Sequence, residues 1–379
     1  MKIDQRHWTR RDGWNDAGRD GEDRDAHLVF VFGGRQDLQD PQWLNRIRER
    51  SPRARVVSAS TAGEIRGTEV HDDTIVSTAI EFAASDVRTT STRVTNAAES
   101  GAAGQRLARA LPHPGLRHVL VLADGIRVNG SELARGLRDN VPAGVVVTGG
   151  LAGDGARMER TVVGLDGAPE EGQIVAVGFY GARLSIGYGS LGGWDPFGPE
   201  RLITRSEGNV LHELDGQNAL ELYKVYLGEH ASGLPWTGLL FPLAIRMPDR
   251  PETLVRTIVG IDETAHTMTF AGGVPQGAYA RLMKANFDRL IEGAAGAARG
   301  CARAMSASAP ELALLISCVG RKQILKQRVE EEVEAVRDVL GPSTALAGFY
   351  SYGEICPHLA SAKCELHNQT MTITTFRET

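Results

Sequence analysis

The sequence predicts an α/β fold, or a mixed α+β one, in which repeated strand-helix-strand units form mixed sheets flanked by helices and divide into two domains. Three observations carry this reading. A short apolar strand ending in glycine occurs three times, each time followed by a helical stretch, a second apolar strand and an acid in a turn. From each opening glycine to each acid is about thirty residues, the length of one strand-helix-strand unit, whose two strands should lie parallel with a right-handed crossover. The chain has 379 residues, enough for two domains that each bury a core.

Residues 1–26 are rich in Arg, Asp and Gly and show no apolar periodicity, so they are expected to be a mobile charged tail. The first copy opens with LVFVFGG from Leu28, continues with the helical DPQWLNRIRER, and returns as VVSASTAGE, ending at Glu64. The second runs VLVLADG from Val119, then SELARGLRDN with Ser131 placed to cap the helix, then VVVTGGLAGD to Asp154. The third runs LALLISCVG from Leu312, then KQILKQRVEEEVEAVRDVL, then ALAGFYSYGE to Glu354. A further strand closes each copy: TIVSTAIEF, QIVAVGFY and TMTITTF.

The third copy follows a different insert, residues 187–309. It opens with GYGSLGGWDPFGPE, whose glycines and prolines argue against regular structure and mark a boundary. A hairpin (RLITRSEGNVLHEL), a helix (NALELYKVYLGEH) and paired strands around LVRTIVGI and TMTFAG are expected next. GGVPQGAYARLMKANFDRLIEGAAGAARG then reads as a turn opening a long, alanine-rich packing helix. The expected domains are 27–185 and 186–379.

Composition excludes several functions. A net charge of -5 leaves no basic excess for a nucleic-acid backbone. No apolar run suits a signal peptide or a membrane span. Cys301, Cys318, Cys356 and Cys364 show no disulfide spacing, so a cytoplasmic setting is expected. GYGSLGG matches the dinucleotide fingerprint at Gly187, Gly189 and Gly192, but WDPFGP cannot continue as the helix that a pyrophosphate site needs. No phosphate loop of the GxxxxGK[ST] type, no HExxH and no GxSxG elbow occurs, and the chain is read as a non-enzyme.

The acid turns are the candidate binding elements. Strand ends are where parallel sheets place ligands, and turn amides beside a carboxylate suit an amino acid or a similar zwitterion. The bland alternative is that each acid caps its own turn. The expected contact set is Ser60, Thr61, Gly63, Glu64, Gly149, Gly150, Asp154, Cys318, Arg321, Tyr350, Tyr352, Glu354 and Asn368. Cys318 lies near Arg321 and Lys322, which could lower a thiol pKa and make a thiol enzyme, or it is a core or pocket-wall residue. Cys356, His358, Cys364 and His367 could in principle hold zinc, although the usual CxxC knuckle is absent.

STAGEI at 60–65 and GGLAGD at 149–154 resemble the N-terminal FIST domain. ELDGQNALELY, FAGGVPQG, ISCVGR, GFYSYGEI and LHNQTMT resemble its C-terminal companion, so the resemblance covers about 27–376. It implies a sensory module that binds small ligands, amino acids among them. It also implies a second reading, because some stand-alone relatives resemble haem-binding nitric-oxide sensors that regulate a histidine kinase or a cyclic-dinucleotide enzyme. On that reading His367, or else His358, would ligate haem iron. No output segment is recognisable here, so signalling is expected to pass through a separate partner, and such an effector also suits a homodimer.

Overall fold

A computed structural model of the protein describes residues 1–15, 25–249, 253–305, 309–357 and 363–379. The fold is mixed α/β, and the three repeats are three units of one plan. In the first unit an edge strand (Lys2–Thr9) precedes a first strand (Leu28–Gly33), a second (Arg55–Ser60), a short outgoing strand (Glu64–Arg66) and a closing strand (Ile75–Glu81). The second unit repeats this with Asp86–Arg93, Leu116–Ala123, Val146–Leu151, Val163–Leu165 and Gln173–Tyr180. The third does so with Leu184–Leu191, Leu312–Cys318, Ala345–Ser351, Gly353–Pro357 and Met371–Glu378.

In every unit the first and second strands pair in parallel, as the crossover helix requires. The closing strand pairs antiparallel with the first on its other side.

The outgoing strands leave their own unit. Glu64–Arg66 of the first unit pairs with Ala345–Ser351 of the third. Gly353–Pro357 of the third pairs with Val146–Leu151 of the second, and Val163–Leu165 of the second pairs with Arg55–Ser60 of the first. The exchange is a closed ring of three sheets, each completed by a neighbour.

Strand alternation explains why these strands read as continuous apolar runs. Leu28, Phe30 and Phe32 point to one side and share a central core with Leu120 and Leu122, and with Leu312, Leu314 and Ile316. The alternate residues meet helices: Val29 and Val31 pack with Trp43 and Ile47, while Val119, Val121, Ala313 and Leu315 pack in a core with Leu133, Ala297 and Val333. Both faces are therefore buried. The described residues of 195–284 form an antiparallel insert of eight strands whose core gathers Leu211, Tyr223, Leu243 and Phe270.

Several expectations need correction. Lys2–Thr9 is not a mobile tail: it pairs over seven positions with Ile75–Glu81, in the place that Asp86–Arg93 and Leu184–Leu191 hold beside the closing strands of the other two units, and the short strand Gly13–Trp14 pairs with its far end. Of the expected tail, residues 16–24 lie outside the described residues. The boundary at 185/186 falls inside the strand Leu184–Leu191. GYGS is part of that strand and not a turn, and its glycines admit a helix: a Cβ at Gly189 would lie 2.2 Å from the Ala297 carbonyl oxygen. The following Asp195–Glu207 is also a strand, with a register shift between Phe197 and Glu200 that accommodates its glycine and proline.

The helix after Val119 is capped by Asn129, whose side chain accepts from the Ser131 and Glu132 N–H groups, and not by Ser131. Tyr279–Lys284 is a strand, so the long helix begins only at Phe287, capped by Asn286. The third crossover helix is broken into Val319–Leu325 and Val329–Leu340 around Lys326, which has positive φ. Among the described residues no helix is long and apolar enough to cross a membrane.

Candidate ligand site

The exchange brings the three acid turns together. The Gly153 and Gly155 N–H groups donate to the Ser60 and Thr61 carbonyls, at 2.8 and 3.1 Å. Ala62 N–H donates to Tyr350 O and Tyr350 N–H to Gly63 O, both at 2.8 Å, and Tyr352 N–H donates to Leu151 O at 3.2 Å. Each turn thus bonds to both others. Gly63 and Gly149 have φ of +139° and +149°, and a Cβ on Gly149 would lie 1.9 Å from Val121 O. A Cβ on Gly150 would lie 2.6 Å from the Ile316 side chain.

The acids face inward. Glu64 accepts from the Thr61 hydroxyl on one oxygen, and from the Thr74 N–H (3.2 Å) and hydroxyl (2.8 Å) on the other. Glu354 accepts from the Ser351 hydroxyl (2.6 Å) on one oxygen, and from the Thr370 N–H (3.3 Å) and hydroxyl (3.0 Å) on the other. Burial pushes the Glu64 carboxyl up to about 7 and the Glu354 carboxyl up to about 8, against the pull of these hydrogen bonds. Asp154 is ion-paired with Arg35 (3.1 Å) and Arg157 (2.8 Å). All three carboxylates are engaged within the protein, so the ammonium-binding role that the sequence suggested is not offered by these groups as they stand. Ser60 likewise accepts from Val162 N–H at 2.9 Å.

Arg321 is fully buried. Its Nε and terminal nitrogen lie 2.9 and 2.7 Å from Glu332 Oε2, and it donates to the carbonyls of Gly192 (2.5 Å) and Leu290 (2.7 Å). The other Glu332 oxygen accepts from the Ser317 hydroxyl (3.1 Å) and the Tyr350 phenol (2.7 Å). Arg321 and Tyr350 therefore brace the third unit internally.

The remaining three residues of the expected set, Cys318, Tyr352 and Asn368, line one pocket of about 90 Å³. It lies where the third unit meets the insert. The third unit also supplies Val319, Gly320 and Gln323, the second unit Met158, and the insert Pro235, Trp236, Leu239, Thr257, Ile258, Val259 and Ala271. The lining is largely apolar. Trp236 is 61% exposed, and Met158 and Val259 are also exposed, so an apolar rim surrounds the opening.

Two lining residues carry an orphaned polar atom: Asn368 Oδ1 and Thr257 Oγ1 are buried with no hydrogen-bond partner among the described residues. Native proteins pair the great majority of such atoms, and an exception in a pocket wall marks where a ligand atom would complete the set.

Cys318 is a wall of this pocket. Burial and the nearby Glu354 charge push its thiol far above the usual range, overriding the Gly320 and Gln369 N–H groups and Arg321. The lowered pKa that a thiol enzyme would need is therefore reversed.

His367 does not fit a haem ligand as placed: it is 1% exposed and its Nε2 is 2.8 Å from Cys356 O. His358 lies outside the described residues. Among the described residues no group of three or more His, Cys, Asp or Glu could hold a metal ion.

Sequence reasoning missed the insert's share of the pocket, Trp236 and Thr257 above all. Neither stands in a motif, and a single threonine between two strands carries no local sign of what faces it.

Residues 27–217 match the family model described as the FIST N domain, and residues 219–357 match the one described as the FIST C domain. No curated protein matches the chain. One solved structure, the crystal structure of cyanuric acid hydrolase from A. caulinodans, aligns over 94% of this chain and 91% of that one at 9% identity, with a TM-score of 0.34, a likeness that carries no argument.

Proposed function

Because the chain belongs to the FIST family, whose domains are associated with sensing small ligands in signal transduction, we propose that it is a cytoplasmic sensor that takes its ligand in the pocket between the third unit and the insert. The observation that carries this reading is the pair of orphaned atoms, Asn368 Oδ1 and Thr257 Oγ1, in a largely apolar wall that opens to solvent past Trp236.

Occupancy, not bond-making, is the output of such a site. The thiol in it is held protonated by burial, and the three turn acids are engaged with protein groups. Ligand binding would draw the insert and the third unit together, because the pocket wall is shared between them. The signal would then pass to a separate partner, a histidine kinase or a cyclic-dinucleotide enzyme.

The test is a thermal-shift screen of the full chain against neutral metabolites, amino acids and their amides. A ligand at a hundredfold its dissociation constant should stabilise the chain by about 2.7 kcal/mol. The stabilisation should vanish in Ala271→Trp, which fills the pocket. A stabilising ligand whose effect survives that substitution would place the site elsewhere.

A further inference from the structure

We propose that the ligand of this pocket is an uncharged molecule carrying a carboxamide or lactam edge on a compact apolar body. This rests on the reading of the pocket as the ligand site and goes beyond it by naming the chemistry the site accepts.

Charge is excluded by the walls. None of the described lining residues is an Asp, Glu, Lys, Arg or His. The two that can ionise are both shifted against it: burial pushes the Tyr352 phenol up to about 12 and the Cys318 thiol higher still. Neighbouring charges are engaged elsewhere, Arg321 with Glu332, Arg157 with Asp154, and Glu354 with Ser351 and Thr370. A carboxylate or an ammonium entering here would lose its water and meet no opposite charge, which is strongly unfavourable in a low-dielectric pocket.

Recognition is supplied by the orphaned atoms. Asn368 is 1% exposed and Thr257 6%, so both are largely withdrawn from bulk water. The orphaned Asn368 atom is Oδ1, an acceptor, so its complement is a ligand group that donates an N–H. A ligand amide or lactam is such a group. The Thr257 hydroxyl can give or take the remaining bond.

Space limits the rest of the ligand. About 90 Å³ is well below the roughly 300 Å³ at which drug-sized sites begin. An amide on a small branched hydrocarbon suits it, with Ile258, Val259 and Trp236 around the apolar part.

Saturation-transfer NMR on the full chain with isobutyramide, isobutyrate and isobutylamine, matched in size and differing in charge, tests the proposal. Isobutyramide should bind at millimolar concentration and at least tenfold more tightly than either ion. Its signal should disappear in Ala271→Trp and fall at least tenfold in both Asn368→Leu and Thr257→Val, with circular dichroism confirming that each variant is folded. Asn368→Asp should move the preference toward isobutylamine.

Isobutyrate or isobutylamine binding the native chain as tightly as the amide, with the signal lost in Ala271→Trp, would overturn the neutral-amide assignment and leave the pocket standing. Isobutyramide binding unchanged in Asn368→Leu and Ala271→Trp would overturn it by placing the amide elsewhere. No binding by any of the three would overturn it too, and a thermal-shift screen equally silent would remove the pocket reading with it.

Discussion

Glu64 and Glu354 make the same set of hydrogen bonds in two different units. Each accepts from a hydroxyl three residues earlier, Thr61 or Ser351, and from both the N–H and the hydroxyl of one threonine near the start of the closing strand, Thr74 or Thr370. Asp154, at the same place in the second unit, is held instead by Arg35 and Arg157. The repeat thus keeps a buried acid at each exchange point and varies how it is satisfied.

That relationship sets a pH dependence. Both glutamates have folded pKa values above the ordinary value of 4.5, about 7 and about 8. Between the unfolded and folded values the folded state holds more protons, so the stability these two groups contribute is full below about pH 4.5, declines as pH rises toward 7 to 8, and then levels. Every tenfold difference in proton affinity between the folded and unfolded states corresponds to about 1.4 kcal/mol. Burial lowers His118 and His7, to about 3 and about 4, which works the other way below about pH 6.5, so the decline should stand out in urea unfolding from pH 6.5 to 8.5, and Glu64→Gln with Glu354→Gln should flatten it. An equally steep decline in the double variant would refute the assignment.

Arg321 and Glu332 are both fully buried. Arg321→Met leaves a carboxylate without its counter-charge and should cost about 3–5 kcal/mol in unfolding free energy, and adding Glu332→Leu should restore part of that loss. No recovery in the double variant would mean that the arginine's bonds to the Gly192 and Leu290 carbonyls, not the ion pair, hold the site.

Thr257→Val should behave in the opposite sense. It keeps the shape and removes a buried hydroxyl that has no partner among the described residues, so the ligand-free protein should gain about 1 kcal/mol or more. A loss of stability would show that the hydroxyl is bonded after all.

Removing residues 1–14 should lower the thermal midpoint, because Ile75–Glu81 loses the strand that covers its edge and Met1 and Ile3 leave the central core. A midpoint unchanged from the full chain would show the strand to be dispensable.

Gly149→Ala should fail to accumulate as folded protein, since its Cβ would meet the Val121 carbonyl at 1.9 Å. Gly144→Ala has φ of +84° and no atom near the added carbon, so it should cost only about 1–2 kcal/mol from the backbone conformation. Equal yields of the two would contradict the close approach at Gly149.

What could be read in advance follows from how local each signal is. The apolar runs at Leu28, Val119 and Leu312, the stretches after them and the acid turns were legible because each pattern is complete within a few tens of residues. The helix cap at Asn129 was misplaced by two residues because Asn129 and Ser131 are both good caps and only the backbone conformation chooses between them. The strand Lys2–Thr9 was hidden by its polar composition, which suits an edge facing solvent as well as it suits a tail.

By itself, then, the sequence determined that three strand-helix-strand units exist and that each ends in a turn bearing an acid. Only the tertiary structure decided that each outgoing strand completes a neighbour's sheet, that Glu64 and Glu354 face inward, and that Thr257 and Trp236 of the insert close the pocket. A strand offers the same row of N–H and C=O groups to any partner, so its own residues do not name the sheet it will join. A pocket wall drawn from residues 158, 257 and 368 exists only once those segments have been brought side by side.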